Sequence, residues 1–120
     1  MWTFLERFAS RLRREPVTVT IAADDEGVVA TMSIRERPVS FSWLDVEEIQ
    51  TFKRDLFSFD EICLSFCVSD LWYEFWESDV GFPRLAELMQ AKFPSIPEGW
   101  YGEVMQPPFA TNQRTLWKRG

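Results

Sequence analysis

Carboxylates are the side chains this sequence leaves for chemistry. Asp45, Glu47, Glu48, Asp55, Asp60, Glu61, Glu74, Glu77 and Asp79 are the candidates, and histidine is absent. Without histidine, Ser–His and Cys–His nucleophiles and most zinc sites are excluded. The glycines form neither GxGxxG nor GxxxxGK, so no phosphate loop is present. Glu74 is the sharpest acid–base candidate. In "DLWYEFWESD" it lies between Trp72 and Trp76 on one face of a strand. Aromatic walls could stack a sugar and raise the carboxylate pKa by desolvation, as glycoside hydrolysis requires. The same face equally suits packed tryptophans with a glutamate paired to a neighbouring Arg or Lys. Pocketed carboxylates need a cleft that 120 residues barely provide, so the balance goes against catalysis. No catalytic residue, metal or cofactor is expected.

Cys63 and Cys67 share one face of a strand, four residues and so roughly 13 Å apart. A disulfide needs Cα atoms within about 7 Å, so these two cannot bridge. Two unpaired thiols point to a reducing compartment. Glu6 and Arg7 interrupt the apolar start, which argues against a secretory signal, and no run reaches the ~20 apolar residues of a membrane span. The expected location is the cytoplasm.

The net charge of −6 is unevenly spread. Residues 1–14 carry +3, residues 15–113 carry −12 and residues 114–120 carry +3. An acidic body with basic ends lacks the concentrated positive face that phosphate binding demands, so nucleic acid is not an expected partner. It suits a basic protein partner through complementary fields.

The elements that would position these groups are legible in part. Residues 2–14 place Trp2, Leu5, Phe8, Ala9 and Leu12 at helical spacing. "VTVTI" and "VVATMSI" alternate on either side of "DDEG" and predict a hairpin, with Gly27 free to supply a positive φ. "VSFSW" alternates again. "LDVEEIQTFKRDL" fits either a helix, through Val46, Ile49, Phe52 and Leu56, or a strand through Ile49, Thr51 and Lys53. "EICLSFCVSD" turns Ile62, Leu64, Phe66 and Val68 inward, and a tight turn near Ser69-Asp70 feeds the aromatic strand. Gly81 and Pro83 open a helix over 82–93 with Phe82, Leu85, Leu88, Met89 and Phe93 as its stripe. The last 27 residues, with prolines in their turns, read as an extended strap anchored by Trp100, Tyr101, Val104, Met105, Phe109 and Trp117.

One domain over residues 1–120 follows, of α+β class: an antiparallel sheet of five to six strands packed by a helix. Its parts are an N-terminal helix (1–14), a sheet plus helix (17–93) and the strap (94–120). The segment "SFSWLDVEEI", with Trp43, Asp45, Val46 and Ile49, resembles the W-x-D-I/V-x-x-I pattern of small bacterial pleckstrin-homology-like and GRAM-like domains. That resemblance covers residues 17–93 and implies their sheet-and-helix fold, though the strap makes the helix internal.

The aromatic strand has two greasy faces, with Leu71, Tyr73 and Phe75 on one and Trp72 and Trp76 on the other. The second face needs a cover. The expectation is that the two chain ends provide it, forming a second small core; a partner protein or a second copy in a homodimer is the competitor. The expected function is noncatalytic binding of a basic protein, in the manner of an immunity or inhibitor protein. Glu47, Glu48, Asp55, Asp60 and Glu61 would form its surface beside Trp72, Glu74 and Trp76. A membrane-surface alternative uses the N-terminal helix, with Trp2, Phe4, Arg7, Arg11, Arg13 and Arg14. The negative body opposes an anionic bilayer, which disfavours it.

Overall fold

A computed structural model describes residues 18–33, 37–55, 59–106 and 112–120. The helix expected over residues 2–14, and with it the membrane-surface residues Trp2, Phe4, Arg7, Arg11, Arg13 and Arg14, lies outside the described residues. No helix among the described residues is long and apolar enough to cross a membrane.

The described chain is α+β. In order it forms β1 (Val19–Ala23), β2 (Gly27–Met32), β3 (Val39–Ser42), a 3-10 turn (Trp43–Asp45), β4 (Val46–Asp55), β5 (Asp60–Val68) and β6 (Leu71–Trp76). Then come α1 (Phe82–Lys92), α2 (Trp100–Met105) and β7 (Arg114–Lys118). Where one sheet of five to six strands was expected, the described residues form two antiparallel sheets that together hold seven, β1-β2-β3 and β6-β5-β4-β7. The division falls at Trp43–Asp45. Ser42 caps that turn by accepting from the Leu44 N–H, and the chain leaves it in a new direction.

The ambiguous segment after Trp43 is a strand. Ile49, Thr51 and Lys53 stand opposite Phe66, Leu64 and Ile62 of β5, so period two wins over helical period. The inner faces of both sheets meet in one core. Phe41 of β3 packs 5.3 Å from Tyr73 and 5.6 Å from Phe66, ring centre to ring centre. Trp43 is inserted between Phe66 and Phe93 at 6.0 and 6.1 Å. Helix α1 adds Phe82, Leu85, Leu88 and Met89 to that core. The tight turn expected near Ser69-Asp70 is present, with φ of 51° and 64° as a two-residue type I′ hairpin requires.

The strap is not a simple extended cover. It contains α2, whose Trp100 and Val104 are buried in the inner core. It also contains β7, which adds to the edge of β4 and widens the sheet in its own plane. These described parts of the strap serve the inner core and the β4 edge, where β7 gains a hydrogen-bonded ladder; the expected anchor Phe109 lies outside the described residues.

Two glycines are required by close approach. A Cβ on Gly27 would lie 2.1 Å from the Phe41 carbonyl oxygen, and its φ is not positive, so proximity to β3 replaces the turn geometry expected of it. Gly81 has φ 92° and its Cβ would lie 2.1 Å from the Ile21 carbonyl oxygen. Here the chain runs beside β1, with Ile21 N–H donating to Val80 O at 2.7 Å and Val80 N–H donating to Val19 O at 3.0 Å. Gly81→Ala is expected to cost roughly 1–3 kcal/mol from the left-handed backbone, and more as α1 shifts off β1. Urea unfolding checks it; an unchanged midpoint would contradict the geometry.

Candidate functional site

The sequence-expected carboxylates do not gather on one surface. Odd positions of β5 and even positions of β4 and β6 form the outer face, so Glu61 pairs across to Arg54, and Ser65 to Glu74. Glu61 and Glu74 are 3 % and 4 % exposed, and Trp76 has no exposure at all. Glu61 lies 3.5 Å from the Arg54 guanidinium and accepts from the Ser78 N–H at 3.0 Å. Arg54 lies over the Trp76 ring, 3.9 Å from its centre, and the Trp76 indole N–H donates to Glu74 at 2.6 Å. Asp60 faces inward and pairs with the buried Lys53 ammonium at 3.3 Å. These residues lie inside the molecule instead of lining a docking face. Asp55 ends β4 opposite Asp60. Trp72 remains partly exposed at the edge of the outer face.

Glu47 and Glu48 have a different setting. An irregularity in the β4–β5 register between Val46 and Glu48 turns Glu47 outward. Its carboxylate accepts from the Ser69 N–H at 3.2 Å. Glu48 accepts from the Gln50 amide at 2.7 Å. Together with Leu44, Asp45, Cys67, Asp70, Lys118 and Arg119 they line an open cleft of about 540 Å³. Leu44 stands 84 % exposed on its rim. Trp72 pairs with Cys67 across the β5–β6 ladder, which places its ring at the same end of the sheet.

Asp45 also borders a second cleft, of about 470 Å³, lined by Asp24, Glu26, Val29, Ser40 and Ser42 among others. Asp24 shapes that rim by accepting from the Glu26 and Gly27 N–H groups at 2.9 and 3.0 Å. Those two donors hold its carboxyl below the ordinary range. Six carboxylates therefore run across the two clefts: Asp24, Glu26, Asp45, Glu47, Glu48 and Asp70. Sequence reasoning reached only Glu47 and Glu48 as binding residues. Asp24, Glu26 and Asp70 sit in hairpin turns, where exposure is enforced by the backbone, and that signal was available. Leu44 carried no such signal.

Burial pushes the Cys67 thiol up, and the nearby Glu47 and Asp70 carboxylates add to the effect, so it is a poor nucleophile. Among the described residues, no three Cys, Asp or Glu side chains converge as metal ligands. Elsewhere, Tyr101 donates its hydroxyl to Glu77 and its pKa is pushed up to about 12, first by burial and then by that bond and charge. The neutral phenol is favoured in the fold. Its contribution to stability is complete below the free-phenol value of 10.0 and is lost as pH rises through about 12. Absorbance titration of a Tyr73→Phe variant, in which Tyr101 is the remaining tyrosine, should show ionisation near the higher value; ionisation at the free-phenol value would refute it. No family model, curated protein or solved structure matches this chain.

Proposed function

We propose that this is a noncatalytic, cytoplasmic protein-binding domain of bacterial type, taking a basic protein partner along the carboxylate band. The observation that carries the reading is the six-carboxylate rim spanning both clefts, which share Asp45, with the exposed Leu44 on the rim of the first. Opposed surface charge speeds encounter, and a few apolar anchors such as Leu44 and Trp72 prolong residence. An immunity or inhibitor protein that occludes a basic cleft is one concrete form.

The arrangement of strands followed by α1 supports a pleckstrin-homology-like reading of the core, from which α2 and β7 are departures. The buried setting of Glu74 favours a structural acceptor over the hydrolase alternative. The membrane-surface reading rests on residues outside the described ones, and the acidic rim gives it no support.

The test is binding of fluorescein-labelled decalysine by anisotropy. Wild type should bind at low ionic strength and release as salt rises, because exposed charges are screened over about 10 Å at 0.1 M. A Glu47→Gln, Glu48→Gln, Asp70→Asn triple variant should bind about tenfold more weakly. Equal binding by the two proteins would reject this cleft as the site.

A further inference from the structure

We infer that the C-terminal residues Lys118 and Arg119 act as an internal occupant of the acidic cleft, which a basic partner must displace. This rests on the binding reading above and names how that same site is regulated.

Lys118, the last residue of β7, stands opposite Glu48 in the β4–β7 register and lines the cleft. Its side chain is the type that a basic partner would bring to that carboxylate. Arg119 follows the strand into the same cleft. Its backbone N–H donates to the Glu47 carbonyl at 2.8 Å, and its guanidinium donates to the carbonyls of Leu44 and Val46 at 2.6 and 2.8 Å. That guanidinium is anchored on neutral oxygens, so its positive charge remains available to the four carboxylates Asp45, Glu47, Glu48 and Asp70 around it. The chain thus places two cations where the proposed partner would place its own.

The occupant is held in a way that permits exchange. β7 is an edge strand paired with β4, its register slips between Ile49 and Gln50, and none of its five residues is fully buried. Edge segments with few buried groups open at lower free energy than central strands. Trp117 marks the limit of the displaceable part, because its ring packs 4.6 Å from Phe93 of the core. Displacement therefore involves Lys118 and the residues after it, while Trp117 keeps the strand docked.

The experiment compares decalysine binding by wild type, Lys118→Ala and Arg84→Ala at low ionic strength. Arg84 is an exposed arginine on α1 paired with Glu87, so its variant removes the same charge away from the cleft. Lys118→Ala should bind about threefold more tightly than Arg84→Ala, the size expected for one exposed ion-pair competitor. Thermal melts establish that both variants are folded. Equal affinities for the two variants, or weaker binding by Lys118→Ala, overturn the internal occupant while leaving the acidic site in place. Failure of all three proteins to bind overturns the binding reading, and the internal occupant falls with it.

Discussion

Trp76→Ala is expected to lower unfolding free energy by roughly 3–5 kcal/mol, the range for removing a large buried aromatic. The ring has no solvent exposure, lies opposite Cys63 of β5 and supports the Arg54 guanidinium at 3.9 Å. Truncation removes its packing and also takes the indole donor from the buried Glu74. The two losses act in the same direction, since a buried carboxylate deprived of a donor costs energy that a cavity alone does not. Trp76→Phe separates them: it keeps most of the volume and loses the N–H, so a smaller cost of about 1–3 kcal/mol is expected. Against a typical domain stability of about 5–15 kcal/mol, the alanine variant loses a large fraction. Urea denaturation of both variants measures the difference. A loss under 1 kcal/mol for alanine would mean that this face is not packed as described.

A second large effect is expected at Lys53. This lysine projects into the inner core with 2 % exposure, donates to the Met105 carbonyl at the end of α2 at 2.9 Å and lies 3.3 Å from Asp60. A cation at a helix C-terminus complements the exposed carbonyl ends of that helix. Lys53→Ala leaves the Asp60 carboxylate without this cation in a poorly solvated place, which should cost about 3–5 kcal/mol. The double variant Lys53→Met, Asp60→Leu removes both charges and should recover most of the loss, because the pair repays little beyond its own desolvation. Equilibrium unfolding of the single and double variants decides it. A double variant as unstable as the single would show that Lys53 acts chiefly through the α2 carbonyl.

Both residues illustrate what the sequence could and could not disclose. The alternation of Ile62, Leu64, Phe66 and Val68 specified β5 and its inward face, and the apolar spacing from Phe82 to Met89 specified α1. These are strong local patterns, and tertiary packing agrees with them. Lys53 is different. Its type predicts exposure, while its register beside Ile62 requires burial, and only the α2 carbonyl and Asp60 reconcile the two. The strap was illegible for a related reason. "RTLWK" has too short a pattern to declare a strand, and its ladder forms because the β4 edge is waiting for it. Among the candidate site residues, Glu47 is exposed and Glu48 half-buried, both on the first cleft. Glu61 and Glu74 were drawn inward by Arg54 and the Trp76 indole, partners whose proximity depends on strand order. The clustering of Asp24, Glu26, Asp45 and Asp70 depends on two hairpin turns meeting the 3-10 turn at one end of the molecule, a relation that spacing along the chain does not carry.

The most direct test of the acidic cleft is amide chemical-shift mapping by two-dimensional NMR while decalysine is added at low ionic strength. Shift changes should concentrate at Leu44–Glu48, Ser69–Asp70 and Lys118–Arg119 and be reversed by salt. Absence of shifts, or shifts centred on Arg84 and Glu87 of α1, would contradict it.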